Sequence, residues 1–348
     1  MQNREMIQSL NKPAVAFFGF NRPDPTKVTF EEIRRYRPQQ LLLVADGPRS
    51  TVLTDMPLCE SVREIMRSVD WECDVRTNFS NENLGCRKRM SSGIDWVFSQ
   101  VEEAIILEDD CVPCPDFFSF CSEMLACYRD HPKIMAIAGT NFQHGRWRGD
   151  GSYYFSRFPH IWGWASWRRA WKHYDVTMSS WPRVRQEKWL EWVLPQEEQH
   201  YWSNLFNQAY EGKVDTWDIQ WLYAVWRHEG IGIIANANLV TNIGAGPDAT
   251  HTKGEAGSLV MATGTLGALV HPKTVSIDSD ADRFTFDVAF GGKEMRDKKL
   301  LNCVRRRMRR FIQKLLGFMG YKISRLEASS NRNASGVLNF GPYKISRR

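Results

Sequence analysis

Three adjacent acids, Glu108-Asp109-Asp110, stand directly after the apolar run Ala104-Ile105-Ile106-Leu107. Neighbouring carboxylates repel one another, so such a triplet persists best where something cationic neutralises it. A divalent metal held by one or two carboxylates and by substrate phosphates is the usual partner at such a place. It would offset the charge that builds on a leaving diphosphate. The plainer reading is that the acids cap a helix over 116–128 and face water. A second pair of acids, Asp215 and Asp218, flanks Thr216-Trp217 ahead of a helix-like stretch over 219–227. A helix dipole favours negative charge at its N-terminus, which suits a general base at Asp218. Equally, Asp215 can cap that helix while Asp218 closes a capping box. His251 ends a Gly/Pro-rich loop over 244–252. Such a loop can close over a ligand and bring an imidazole to a metal or a diphosphate, or leave it in solvent.

Elements that would position these groups are readable upstream. The runs Val15-Ala16-Phe17-Phe18-Gly19-Phe20 and Leu41-Leu42-Leu43-Val44-Ala45 stop at Asn21-Arg22-Pro23 and Asp46-Gly47-Pro48. Short apolar runs ended by turn residues read as buried strands. Helical spacing over 29–37, 61–69 and 89–101 separates them from the run that meets the acids. Strands alternating with helices predict an α/β fold built on a mainly parallel sheet with helices on both faces. Ligands of such sheets bind beyond the carboxyl ends of the strands. Asn21, Asp46 and the acids at 108–110 all fall there. The stretch 152–229 is crowded with tryptophan, and Trp164, Trp167 and Trp171 are spaced as on one buried helix face. No internal repeat is evident.

Composition narrows the options. The 348 residues carry a net charge of +6, but residues 296–325 hold eleven Lys/Arg against one acid. The first 295 residues are net acidic, which argues against a nucleic-acid-binding core. No run approaches the roughly 18 apolar residues of a spanning helix, and the polar N-terminus does not read as a secretory signal. A cytoplasmic protein is therefore expected. Its eight cysteines are expected to be free thiols, and those over 111–127 lack zinc-site spacing.

The Glu-Asp-Asp motif followed by Pro115-Asp116-Phe117-Phe118 resembles the signature of GT-A glycosyltransferases. The match is to the N-acetylglucosaminyltransferase I family and to a family 2-like bacterial group from polysaccharide clusters. The resemblance runs through Val15–Asp24, Leu43–Pro48, Asn83-Leu84-Gly85-Cys86, Phe158–Trp171 and Thr216-Trp217-Asp218. It implies a GT-A type fold and an inverting, Mn²⁺- or Mg²⁺-dependent hexosyl- or N-acetylhexosaminyltransferase. By it, Asp110 ligates the metal, Glu108 and Asp109 orient metal and donor sugar, and Asn21, Arg22 and Asp46 contact the nucleotide. From its place in the closing loop, not from the resemblance, His251 is assigned to the metal as well. Trp162, Gly163 and Trp164 fall to the acceptor side and Asp218 to the base. Glu replaces the first Asp of the usual Asp-x-Asp, which bears on the donor sugar rather than the fold.

These readings divide the chain into a catalytic domain over 1–295, with a nucleotide-sugar half over 13–130 and an acceptor half over 131–295. A basic amphipathic helix over 296–325 and a disordered tail over 326–348 follow. Apolar residues interleave with Arg305–Arg310 as in helices that lie on anionic membrane surfaces. Contact through 300–325 at the inner face of the membrane would suit a surface-polysaccharide or lipid-linked acceptor. The rivals are a nucleotidyltransferase, which would need a Gly-rich phosphate loop after the first strand, and a non-catalytic sugar-nucleotide-binding or scaffold protein.

Overall fold

A computed structural model describes residues 12–244, 261–319, 321–325, 338–340 and 343–347. His251 lies outside the described residues. The chain forms two compact units, Met1–Thr285 and Phe286–Arg348, a division that falls before the expected 295/296 boundary.

In the first unit the strands are β1 (Ala14–Gly19), β2 (Gln40–Ala45), β3 (Asp74–Phe79), β4 (Glu103–Glu108), β5 (Cys111–Pro113), β6 (Ile134–Ala138), β7 (Tyr153–Ser156), β8 (Trp164–Trp167), β9 (Ile231–Ala235) and β10 (Val240–Asn242). Helices α1 (Pro23–Tyr36), α2 (Asp55–Arg67), α3 (Gly85–Gln100) and α4 (Pro115–Cys127) follow β1, β2, β3 and β5. Eight strands make one sheet in the order β3-β2-β1-β4-β8-β6-β9-β7. Pairings β1–β2, β2–β3, β1–β4 and β6–β9 are parallel, whereas β8 runs antiparallel between β4 and β6. The result is an α/β fold with a mostly parallel sheet. Both expected halves of the catalytic domain contribute to this single sheet.

Burial explains the composition of the central strands. Val15, Ala16, Phe17, Leu41 to Ala45 and Ala104 to Leu107 are fully buried, as a strand covered on both faces requires. Helix α1 opens with Pro23 at its first turn and buries Thr26, Thr29, Phe30 and Ile33, the spacing of one helix face. β3 is one edge of the sheet, and its residues 74–77 are exposed.

The tryptophan spacing was misleading. Trp164 and Trp167 do not share a helix: they lie on β8, paired to β4 and β6. Three residues apart on a strand, they point to opposite faces. Trp164 joins Trp171, Trp217 and Trp221 with ring centroids 5.6–6.3 Å away, and Trp167 donates its Nε1–H to the Leu125 carbonyl on α4.

His160 is buried with its Nε2 unpartnered, between the Phe142 and Phe158 rings at 4.8 and 6.2 Å. Burial pushes its pKa down to about 3. The folded protein thus refuses a proton that the unfolded chain binds below about pH 6.5. Stability is intact above that pH and is lost as pH falls through it. Denaturation at pH 7 and pH 5 should show wild type losing about 2 kcal/mol more than His160→Leu on acidification. Equal losses would mean that His160 is protonated in the fold.

The second unit contains the helix Gly292–Phe318 and a small antiparallel sheet of β11 (Tyr321–Arg325), β12 (Leu338–Phe340) and β13 (Tyr343–Arg347), in the order β11-β13-β12. This corrects two expectations. Residues 321–325 are strand rather than the end of the basic helix, and 338–340 and 343–347 are paired rather than disordered. β11 and β13 carry the same five residues, Tyr-Lys-Ile-Ser-Arg, a short internal repeat where none was expected. They pair with Ile323 opposite Ile345.

Candidate functional site

The sheet places the acids. β1 pairs with β2 on one side and β4 on the other, so the chain order reverses there, at the place where sheets of this kind bind ligands beyond their carboxyl ends. The turn after β1 carries Arg22 and the turn after β4 carries Asp109 and Asp110. Arg22 Nη2 donates to Asp109 Oδ1 and, at 2.9 Å, to Asp110 Oδ2. Thr29 Oγ1, nearly two turns along α1, donates to the Asp109 carbonyl at 2.9 Å and fixes the acid turn from below.

A third strand closes the arrangement. β10 pairs with β5 so that Asn242 lies opposite Cys111, and Ile243 N–H donates to the Asp110 carbonyl at 2.8 Å. Asn242 Oδ1 accepts the Gly244 N–H at 2.8 Å, and a Cβ on Gly244 would stand 2.0 Å from Asp110 Oδ2. Any larger residue there would have to push the Asp110 carboxylate aside. Asn242 and Gly244 are site residues that sequence reasoning missed. The polar Asn ending the run Leu239-Val240, followed by glycine, was the available signal.

The electrostatics are one-sided. Glu108 ends β4 and its carboxyl is held well above the usual carboxylate range by burial, then by Asp110, Asp109 and Asp218. Asp109 is pushed up to about 6 by burial, with Arg22 pulling the other way. Glu108 thus feels three other carboxylates beside the Arg22 guanidinium. Asp218 opens the helix Asp218–Arg227 and accepts the Thr216 hydroxyl.

Asp215 does not cap that helix. Its carboxylate accepts the Cys86 and Arg87 N–H groups at 3.2 and 3.0 Å and so caps α3, 129 residues away in sequence. It ties the Asp218 loop to the end of α3 that begins at Gly85.

The remaining expected residues divide. Asp46 is buried, and its oxygens are taken by the N–H groups of Gly47 and Leu84 and by the Asn83 amide, at 2.9–3.2 Å. Burial raises its pKa. Here it clasps the loop before α3 rather than offering a free carboxylate. Asn21 donates to Asp55 Oδ1 at 2.9 Å, and Asp55 is held in turn by Arg49. Trp164 is fully buried and presents no face to an acceptor. Gly163 is a packing glycine: its φ is +63° and an added Cβ would meet Val240 Cγ2 at 2.5 Å. That close approach is what seats β10, and therefore Asn242 and Gly244, beside Asp110. Trp162 is half-buried against the Phe142 ring at 5.5 Å.

The seven cysteines whose side chains are described are free thiols, as expected. Among those residues no three His, Cys, Asp or Glu side chains meet in metal-holding geometry. A hard divalent ion here would rest on one or two carboxylates and complete its shell with phosphate and water oxygens, the usual state of Mg²⁺ in phosphate sites. The surplus of negative charge and the all-oxygen donors fit such an ion.

No protein-family model matches the chain, and no curated protein matches it. Among solved structures it is similar to 4-diphosphocytidyl-2C-methyl-D-erythritol synthase from Anaerococcus prevotii, at 11% identity over 60% of this chain and 84% of that one, TM-score 0.27. It is similar to a UDP-glucose pyrophosphorylase complexed with UDP-glucose, at 10% identity over 64% and 90%, TM-score 0.32. It is also similar to mouse xyloside xylosyltransferase 1 in its apo form, at 10% identity over 62% and 82%, TM-score 0.29. Fold and site together define an α/β protein with an acid cluster at the switch point of its sheet.

Proposed function

We propose that the chain is an inverting glycosyltransferase that moves a hexosyl or N-acetylhexosaminyl group from a nucleoside-diphosphate donor to a glycan hydroxyl, free or lipid-linked, with Mn²⁺ or Mg²⁺. The observation that carries this reading is the meeting of Arg22, Asp109 and Asp110 at the sheet's switch point, with Glu108 within electrostatic reach of Asp218. Asp110 would hold the ion, joined by His251 from the segment that follows Gly244, with Glu108 and Asp109 orienting ion and sugar. A bound divalent ion supplies Lewis-acid neutralisation of the departing diphosphate.

The chain's own groups do the rest. Arg22 adds fixed positive charge where the phosphates lie, exchanging part of its carboxylate pairing for them. Asp218 takes the proton of the acceptor hydroxyl as that oxygen attacks the anomeric carbon, and the diphosphate leaves from the opposite face. One displacement of this kind inverts the anomeric centre. The turn after β1 reads Asn21-Arg22-Pro23, not a Gly-rich phosphate loop, which favours transfer of a sugar over transfer of a nucleotide.

Thermal unfolding with UDP-, GDP-, CMP- and dTDP-sugars, each with and without Mn²⁺, tests the reading. At ~100 times its Kd a donor should stabilise the fold by roughly 2.7 kcal/mol. A shift with one nucleotide class, present only with metal, is expected. No shift with any donor would sink the proposal and leave a protein that does not use nucleotide sugars.

A further inference from the structure

The helix Gly292–Phe318 spans 27 residues, about 40 Å at 1.5 Å per residue. Along it Leu300, Val304, Met308, Phe311, Leu315 and Phe318 recur at spacings of three and four, and each is between 46% and 93% exposed. Turned at about 100° per residue, these six fall within an arc of about 80°. Between residues 300 and 319 there are six Lys/Arg and no acid. Arg306 and Arg310 lie on the far side of the helix from the apolar stripe, and Arg305, Arg307 and Lys314 lie along its margins.

We propose that this helix lies in the surface of an anionic lipid bilayer, apolar stripe in the acyl boundary and basic residues among the headgroups. Both halves of the helix then find a partner, which no other occupant provides. Pairing with a second copy would bring two stretches of six like charges together. A nucleic acid would match the charge and leave the apolar stripe in water. No described helix is long and apolar enough to cross a membrane, so the helix lies on the bilayer rather than spanning it. The inference stands on this surface and does not depend on the chemistry assigned to Asp110 and Asp218.

Co-sedimentation of the full chain with vesicles of phosphatidylcholine alone, and of phosphatidylcholine mixed with phosphatidylglycerol, tests it. Binding to the anionic vesicles is expected to exceed binding to the neutral ones and to fall with added salt. Phe311→Glu/Leu315→Glu should lower it by more than about tenfold. Arg306→Gln/Arg310→Gln/Lys314→Gln, all outside the apolar stripe, should lower it by about two orders of magnitude. Circular dichroism and the melting transition of each variant separate lost binding from lost folding. No binding to anionic vesicles overturns the proposal. So does binding that survives Phe311→Glu/Leu315→Glu in full, because the vesicles would then be held by another part of the chain.

Discussion

Asp218→Asn is expected to lower the rate of sugar transfer by roughly 10²–10⁴-fold, the contribution of a positioned general base, while metal-dependent donor binding persists. The substitution keeps the shape of the side chain and its contact with Thr216. What it removes is the ability to take a proton. It also removes one of the like charges that hold the Glu108 carboxyl above its ordinary range, so the ground-state site becomes less strained. Binding and turnover therefore separate: kcat falls and the donor's stabilisation of the fold does not. Single-turnover transfer measured beside thermal unfolding reads both. Undiminished transfer would return Asp218 to a purely structural place at its helix N-terminus and remove the basis for inversion.

Asp110→Ala should act on the other side of the reaction. Loss of the proposed main protein ligand of the ion would forfeit several kcal/mol of charge stabilisation, roughly a thousandfold in kcat/KM. The Mn²⁺-dependent donor shift should vanish with it. Without metal or donor, the variant is expected to melt no lower than wild type. Arg22 keeps its pairing with Asp109, and one carboxylate leaves a cluster already rich in them. Melting curves with and without Mn²⁺ distinguish this from a folding defect. A metal-free variant that melts far below wild type would show that Asp110 supports the fold, and a retained donor shift would place the metal elsewhere.

How much of this was legible depends on where the information sits. β1, β2 and β4 were readable because strands covered on both faces must be continuously apolar, and the polar residues ending them mark the carboxyl edge. β3 carries Asp74, Arg76 and Asn78 on an exposed sheet edge, so no apolar run announced it. Trp164, Trp167 and Trp171 show local spacing losing to tertiary pairing, since β4 and β6 claim 164–167 as strand. Asp215 failed differently: the capping pattern was real, but the helix it caps begins at Gly85. The acid triplet was visible in the residues themselves. The individual roles of Asn21, Arg22 and Asp46 came from resemblance, and only Arg22 is found among the acids. The clasp on Asp46 joins groups nearly forty positions apart, a distance at which spacing carries no signal.

The paired strands Tyr321–Arg325 and Tyr343–Arg347 have a consequence in mass action. Their five residues are identical and antiparallel, so Tyr321 faces Arg347 as Arg325 faces Tyr343. Such a pair is its own complement: a strand from a second molecule could replace either one and restore every cross-strand neighbour. Only tethering separates the two outcomes. A short linker gives the internal partner an effective concentration of millimolar order, so at micromolar protein the closed pair prevails by about a thousandfold. Confinement that raises local protein concentration toward the millimolar range erodes that margin, and strand exchange between neighbours then becomes a matter of crowding rather than of sequence.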